Sequence, residues 1–514
     1  MEKKKRLIIN LLSNIISFGL QLGISFILTP IITQRVGNAA YGFIGLSNNF
    51  ISYANIFTVI INSMASRFIT YEISRGRIER ANKYYSSVFI MDIVMSVVIA
   101  ILSCIIVVNI SSLLNVPDEL AKDVRITFVL AFLNLILSVV TTIFTIATYV
   151  KNRLELEAIR NIIANIIKAI VLIVLFSIFT PKIYYITLSG VVFTLFLFIA
   201  NINLTKKLAP ELQIKFSNYD KKSIFTLIKS GIWNSINNLS KVLLTGLDLL
   251  IANLFIDANA MGILAISKTI PTTIENLLGT IASIFSPQFV ILYSKRKIRE
   301  LVREVKFSTK IIAFIMIVPI AGFIVFGKEF FSLWLPNESE TQINLIQTLS
   351  ILSLIPYVVS VSNYTLFVLD TTTNKLKRPV IATMITSILS TITTICLILY
   401  TNAGIYAVAG VSSFYWIIKV VFFNNINAAK NLRLKWNTFL NQFFKNCFCM
   451  GIIIIVLIFV KQFMSFNNWI EFFISSLLAG GLGYIITFLI IFNKDEKNSM
   501  FNIIKRSLNK RVNY

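Results

Sequence analysis

The chain has 514 residues, of which 56% are hydrophobic and 14% charged, with 48 Lys and Arg against 23 Asp and Glu. A soluble protein of this length divides into several domains and carries about a quarter of its residues as charge, so the composition excludes that class. Histidine is absent and the four cysteines form no CxxC pair, so His-ligated metals, His proton relays, cofactor sites and a disulfide framework are not read here.

Apolar runs of 18 or more residues recur from end to end, each long enough to cross ~30 Å of hydrocarbon as a helix. The expected fold class is an all-α polytopic membrane protein with about 14 transmembrane helices. The short alternating segments of a β-barrel are missing. MEKKKRLIINLL opens with basic residues, and its apolar run reaches Ile32 without a small-residue cleavage site. It reads as a retained first helix. Spans are expected at about 7–33, 42–66, 84–112, 124–149, 158–180, 183–204, 229–256, 261–290, 309–335, 343–369, 380–401, 404–426, 446–466 and 469–493.

With the N-terminus inside, 38 Lys and Arg fall on inner segments, six on outer segments or helix ends and four within spans. That asymmetry places both termini in the cytoplasm. It also accounts for the net charge of +25 without nucleic acid, leaving anionic membrane lipids as the partner of the basic loops.

Tyr41–Asn48 (YGFIGLSN) aligns with Met261–Lys268 (MGILAISK) at an offset of 220. NVPDE at 115–119 and WLPNE at 334–338 keep nearly that offset, as do KNRL at 151–154 and TNKL at 373–376. Six spans per copy give a parallel repeat. The expected domains are an N-lobe at 1–220, a C-lobe at 221–441, an appended helix pair at 442–493 and a basic cytoplasmic tail at 494–514.

Four spans carry a polar stripe at helical spacing. The first has Asn14 and Gln21, the second Asn48, Asn55 and Asn62. The seventh has Asn234, Asn237, Asn238, Lys241 and Asp248, and the eighth Lys268 and Glu275. Such stripes face neighbouring helices or a water-filled lumen. In an antiparallel hairpin turning near Ala258, Asp248 shares its depth with Lys268, and Lys241 with Glu275. These groups are read as lumen-lining residues that bind substrate or ions and exchange partners between states; a charge-zippered hairpin is the structural alternative. Lys168 is a candidate lumen cation. Asp92 is read either as its partner or as an ion site, and Lys419 is expected to snorkel. The cysteines read as small core residues, and Pro30, Pro271, Pro319 and Pro356 as kinks. No GxxxxGK[ST] loop is present, so power must come from an ion gradient, substrate flux or a partner.

Three segments carry a resemblance: LTPIITQRVGNAAYGFIGL (28–46), RFITYEISRGRIERANKYYSS (67–87) and GLDLLIANLFIDANAMGILAIS (246–267). With them the chain resembles the Wzx-type O-antigen and capsule polysaccharide flippases. Their superfamily also holds the MATE multidrug exporters and the lipid II flippases. The resemblance implies two six-helix lobes forming a V in a bacterial cytoplasmic membrane. It implies alternating access and a cationic cavity that flips an undecaprenyl-diphosphate-linked oligosaccharide, with Na⁺ or H⁺ coupling and a polysaccharide polymerase as partner. Lys241 and Lys268 fall where cavity cations would sit, and Lys168 and Arg67 carry the phosphate attraction if the acids neutralise those two. No catalytic residue is implied. The alternatives are a lipid II flippase, a cation-coupled multidrug exporter and, least favoured for want of a large outer loop, a membrane enzyme acting on lipid-linked sugars.

Overall fold

The computed structural model describes residues 2–151, 153–373 and 375–498, with side chains at 16, 19, 20 and from 22 onward apart from 154. Every regular element among them is helical. The first half gives α1 (Glu2–Arg35), α2 (Asn38–Ser74), α3 (Ile78–Val108), the short α4 (Ile110–Leu113), α5 (Ala121–Val150), α6 (Leu154–Ile178) and α7 (Tyr184–Leu208). Then follow α8 (Lys221–Lys241), α9 (Asp248–Phe255), α10 (Ala258–Ser267), α11 (Thr269–Ser283), α12 (Ser286–Ser294) and α13 (Ile298–Trp334). The remainder is α14 (Glu340–Ser360), α15 (Tyr364–Thr372), α16 (Lys377–Tyr400), α17 (Gly404–Ile418), α18 (Asn425–Asn431), α19 (Leu440–Lys461) and α20 (Trp469–Ile491).

Among the described residues twelve helices are long and apolar enough to cross a membrane, and the bent pair α8–α9 makes a thirteenth. The first expected span falls on α1, most of whose N-terminal side chains lie outside the described residues. Several expected continuous spans are broken, and at the α8–α9 break backbone carbonyls find side-chain partners on neighbouring helices, as shown below.

Contacts divide the chain into two compact units. One holds the chain to Ile266 with Thr383–Val408; the other holds Ser267–Ala382 and the chain from Ala409 onward. The first unit packs α2, α3, α5 and α8 around Ile61, Ile69, Tyr85, Val88, Ile143 and Leu227. The loop after α7 is tied to the start of α3. Asn82 Nδ2 donates to Glu211 O at 3.0 Å, and Asp220 N–H to Ser87 Oγ at 2.9 Å. Asp220 then caps α8, accepting from Ser223 N–H at 2.9 Å and Ser223 Oγ at 2.6 Å. That hydroxyl bond holds the Asp220 carboxyl below the usual carboxylate range.

α2 meets α10 at glycine. A Cβ on Gly42 would lie 2.9 Å from Gly262 Cα, and one on Gly262 would strike Asn38 O. Helix backbones approach this closely only where side chains are absent.

The second unit has its core on α11, α13, α14 and α19, around Leu278, Ile312, Met316, Ile320, Leu354 and Ile453. The appended pair packs on α13. Gly483 lies against Val318, Tyr484 Oη donates to Ile315 O at 3.2 Å, and Lys461 pairs with Glu329 at 2.7 Å. Cys449 is buried as expected, but Cys104 and Cys396 are exposed. On a lipid-facing surface an apolar side chain needs no protein cover, so apolar character does not imply a core position.

Candidate functional site

α8 carries Asn234, Asn237, Asn238 and Lys241, and its opposite face is fixed to α2. Gly231 lies against Ile60 O, and Ser235 Oγ donates to Ile56 O at 2.5 Å. The apolar pattern reads as one span to Phe255. Instead the helix passes through a π turn at Val242–Gly246 and bends by 44° into α9.

The π register appears in the Leu247 N–H, which reaches back five residues to Val242 O at 3.2 Å. Three carbonyls along this stretch accept from neighbouring helices. Ser387 Oγ on α16 donates to Ser240 O at 2.7 Å, and Thr391 Oγ1 to Leu243 O at 3.1 Å. On α2, Asn49 Nδ2 and Tyr53 Oη donate to Gly246 O at 2.5 and 3.2 Å. An unsatisfied carbonyl in hydrocarbon costs several kcal/mol, so the break persists where side chains replace the helix bonds. Asn49, Tyr53, Ser387 and Thr391 were missed in the sequence. Gly246 alone marks the spot there. The break lies between Lys241, exposed at the end of α8, and Asp248, 5% exposed at the start of α9.

On α2, Asn48 is exposed and Asn55 half-buried, its Oδ1 accepting from Thr58 Oγ1 at 3.3 Å; Arg67 is exposed toward the far end. Asn14 and Gln21 lie on α1, and their side chains are outside the described residues.

Asp92, 1% exposed on α3, accepts from Asn62 Nδ2 at 2.8 Å. Among the described residues Asn62 is its only partner, so of the two readings of Asp92 the pairing with Lys168 is not formed here. Its Oδ2, the Asn62 Oδ1 and the Ser96 Oγ one turn along are all buried without a hydrogen bond. Lys168, half-buried on α6, has no partner among the described residues.

In the second unit, Lys268 sits half-buried at the break between α10 and α11, its carbonyl accepting from Thr272 Oγ1 at 2.7 Å. Glu275 accepts from Tyr357 Oη at 2.8 Å. The boundary at Ile266 places the two members of each expected depth pair in different units.

The second unit also holds a network that the sequence did not reveal. Asp370 Oδ1 accepts from Asn427 Nδ2 at 3.0 Å and Asn431 Nδ2 at 2.8 Å. Lys419 does not snorkel. It is 8% exposed, at the start of a second π stretch (Lys419–Asn424), with its ammonium 4.8 Å from the Trp416 ring centre.

Broken helices with charged residues at the breaks, set in a chain of a dozen or more apolar spans, mark a polytopic membrane protein, and its fold is that of solved MOP-superfamily transporters. Similar solved structures include an inward-facing MATE family multidrug transporter, with TM-score 0.58 and 15% identity over 81% of this chain and 95% of that one. The lipid II flippase MurJ in an inward closed conformation gives 0.57 and 16%, over 90% and 98%. At these identities the likeness is one of fold.

The chain belongs to the polysaccharide biosynthesis protein family, whose model matches residues 5–293. The membrane protein EpsK of Bacillus subtilis (strain 168), itself uncharacterized, is 26% identical over 432 residues, 84% of this chain and 85% of that protein. This is a multi-pass membrane protein of that family, with the fold of those solved transporters.

Proposed function

We propose that this protein flips an undecaprenyl-diphosphate-linked oligosaccharide from the inner to the outer leaflet of the bacterial cytoplasmic membrane by alternating access. Family membership supports a polysaccharide repeat unit as cargo, and the fold shared with a lipid II flippase supports a lipid-linked one. The observation that carries the reading is the α8–α9 break, with an exposed lysine beside a distorted turn. A diphosphate crossing low dielectric needs fixed cations and charge-assisted hydrogen bonds.

In this reading Lys241, Lys268, Lys168 and Arg67 line a hydrated cavity and attract the diphosphate. The stripe amides Asn14, Gln21, Asn48, Asn55, Asn234, Asn237 and Asn238 bond sugar hydroxyls. Asp248 and Glu275 exchange partners between states. Asp92, buried with one amide donor, takes the coupling H⁺ or Na⁺. Both termini lie in the cytoplasm, and the exported unit passes to a polymerase.

The test is translocation of a lipid-linked oligosaccharide in proteoliposomes, with wild type and the folded Lys241→Ala/Lys268→Ala variant. Loss in the variant supports a cationic cavity; transport at the wild-type rate reduces the lysines to struts. A lipid II flippase is the second reading, favoured by the MurJ fold likeness. It predicts rescue of a strain lacking its essential flippase, which a polysaccharide flippase would not give. A multidrug exporter would confer drug resistance on expression, but a lysine-bearing stripe suits cationic drugs poorly.

A further inference from the structure

Asp92 is a carboxylate with no counter-charge. It is 1% exposed midway along α3, and among the described residues only the neutral Asn62 amide bonds it. An ionised carboxylate sealed in low dielectric without a cation is strongly disfavoured. Three oxygens are also left unbonded there. Asp92 Oδ2, Asn62 Oδ1 and Ser96 Oγ are buried and make no hydrogen bond among the described residues. Ser96 is the most telling of them. A helix hydroxyl ordinarily returns to a carbonyl about one turn back, as Ser103 Oγ does to Ala100 O at 2.8 Å on the same helix. Ser96, one turn after Asp92 and on its face, does not.

The second half of the chain supplies a comparison. α3 begins at Ile78 and α13 at Ile298, 220 residues on, which is the offset relating the two halves in sequence. The positions matched to Asn62, Asp92 and Ser96 are Ala282, Ile312 and Met316. All three belong to one apolar core, at 2%, 0% and 2% exposure. The matched places there are filled by apolar side chains alone. Packing thus gives no reason for an acid, an amide and a hydroxyl in the first half, since replacing buried charged groups with apolar ones is often neutral or stabilising. A bound ligand supplies that reason.

The ligand class follows from what the three oxygens lack. A water would bond them but leave the charge. A proton would cancel the charge but add one O–H donor, enough for Asn62 Oδ1 or Ser96 Oγ and not for both. A cation cancels the charge and takes lone pairs from all three. Carboxylate, amide and hydroxyl oxygens are hard ligands, suited to hard cations. One carboxylate balances one positive charge, so the ion is monovalent. The site lies against the packed core around Ile61, Ala65 and Val88, which favours Na⁺ over the larger K⁺. We infer that Asn62 Oδ1, Asp92 Oδ2 and Ser96 Oγ bind one dehydrated Na⁺ between α2 and α3. This rests on the coupling role proposed for Asp92, and it names the ion and the ion's other ligands.

The experiment uses the purified full chain in detergent, with no glycan present. Binding of radiolabelled Na⁺ and thermal unfolding are followed as NaCl replaces choline chloride at constant ionic strength. The expected result is saturable binding of one ion per chain, with a matching rise in unfolding temperature. Unlabelled Li⁺ competes and K⁺ does not. Asp92→Asn keeps the bond from Asn62 and abolishes Na⁺ binding. Ser96→Ala removes a hydroxyl that bonds nothing else, so the fold is retained, and Na⁺ binds about tenfold more weakly, equivalent to about 1.4 kcal/mol. Ser96→Ala serves alone if the Asp92 variant unfolds.

The inference is overturned if no saturable Na⁺ binding is found, if K⁺ competes equally, or if either folded variant binds as wild type does. Unfolding that responds to acid but not to Na⁺ would make Asp92 a proton site and overturn it too. Glycan transport, assayed separately, keeps the two readings apart. Transport without Na⁺ binding sinks the ion site and leaves the flippase. Na⁺ binding without transport of any lipid-linked glycan sinks the flippase and leaves the ion site.

Discussion

Asp92 is visible in the sequence as an intramembrane acid, but its partner is not. Asn62 lies thirty residues earlier on another helix, and one sequence does not fix how two helices rotate against each other. In Asp92→Asn the amide oxygen still accepts from Asn62, so the variant should fold; transport should stop responding to an imposed pH or Na⁺ gradient. An unchanged response would remove Asp92 from coupling. Asp92→Leu leaves the Asn62 amide without an acceptor and should lower stability by about 1–3 kcal/mol in detergent unfolding. Asp220 is a separate case, since an Asp ahead of a helical pattern is a legible cap. Asp220→Ala should lose about 1 kcal/mol. Because the native carboxyl titrates below its unfolded value of about 3.9, the contribution is whole above that pH and fades as pH falls through the native value. Thermal unfolding of wild type and variant should therefore converge in acid; a constant gap would contradict the cap.

At the scale of the element, the position of the spans was legible and their interruptions were not. Periodicity reports which face is apolar. It is silent on whether a helix carbonyl will be given a donor by a neighbour, and that decides where a π turn survives. Ser387 and Thr391 sit on α16, more than a hundred residues beyond the turn they satisfy. Lys419 was misread for a related reason, since unwinding at its own position turns the ammonium onto Trp416. Asn49→Leu with Tyr53→Phe strips Gly246 O of both donors. The pair should destabilise by about 1–3 kcal/mol and change the accessibility of a reporter cysteine at position 245. If neither moves, the π turn is held from elsewhere. Glycines offer a sharper contrast. Gly262→Ala drives a methyl into Asn38 O and should reduce the folded yield severely, whereas Gly23→Ala meets open space and should be neutral.

For the whole molecule, composition alone yielded the class, because a chain this apolar, with recurring runs long enough to cross a bilayer, has few other solutions. The stripes drew attention to α2 and α8, and the π turn after α8 takes two of its side-chain donors from α2. They could not tell a water-facing amide from one bonded to a neighbour, since both appear as the same polar letter in an apolar run. The number of crossings has a direct test. Twelve helices and the bent pair make thirteen, and α1 adds one more. Reporter fusions at the two ends should then lie on the same side of the membrane. Opposite sides would mean that α8–α9 enters and leaves by one face.

Gly42 and Gly262 touch, and they are matched positions in the two halves of the sequence, 220 residues apart. A contact between matched positions is one that a half-length chain could make with its own copy, as in any two-fold dimer. In such a dimer every substitution is felt twice. A lysine at one wall would appear at the opposite wall too, and a symmetric site would meet like charge across its axis. Joining the copies into one chain lifts that constraint. The positions matched to Lys241, Lys268 and Glu275 are Gln21, Asn48 and Asn55, all neutral. On the proposed function, that freedom lets one half keep amides for sugar while the other carries charge for phosphate, an asymmetry suited to a cargo whose two ends differ.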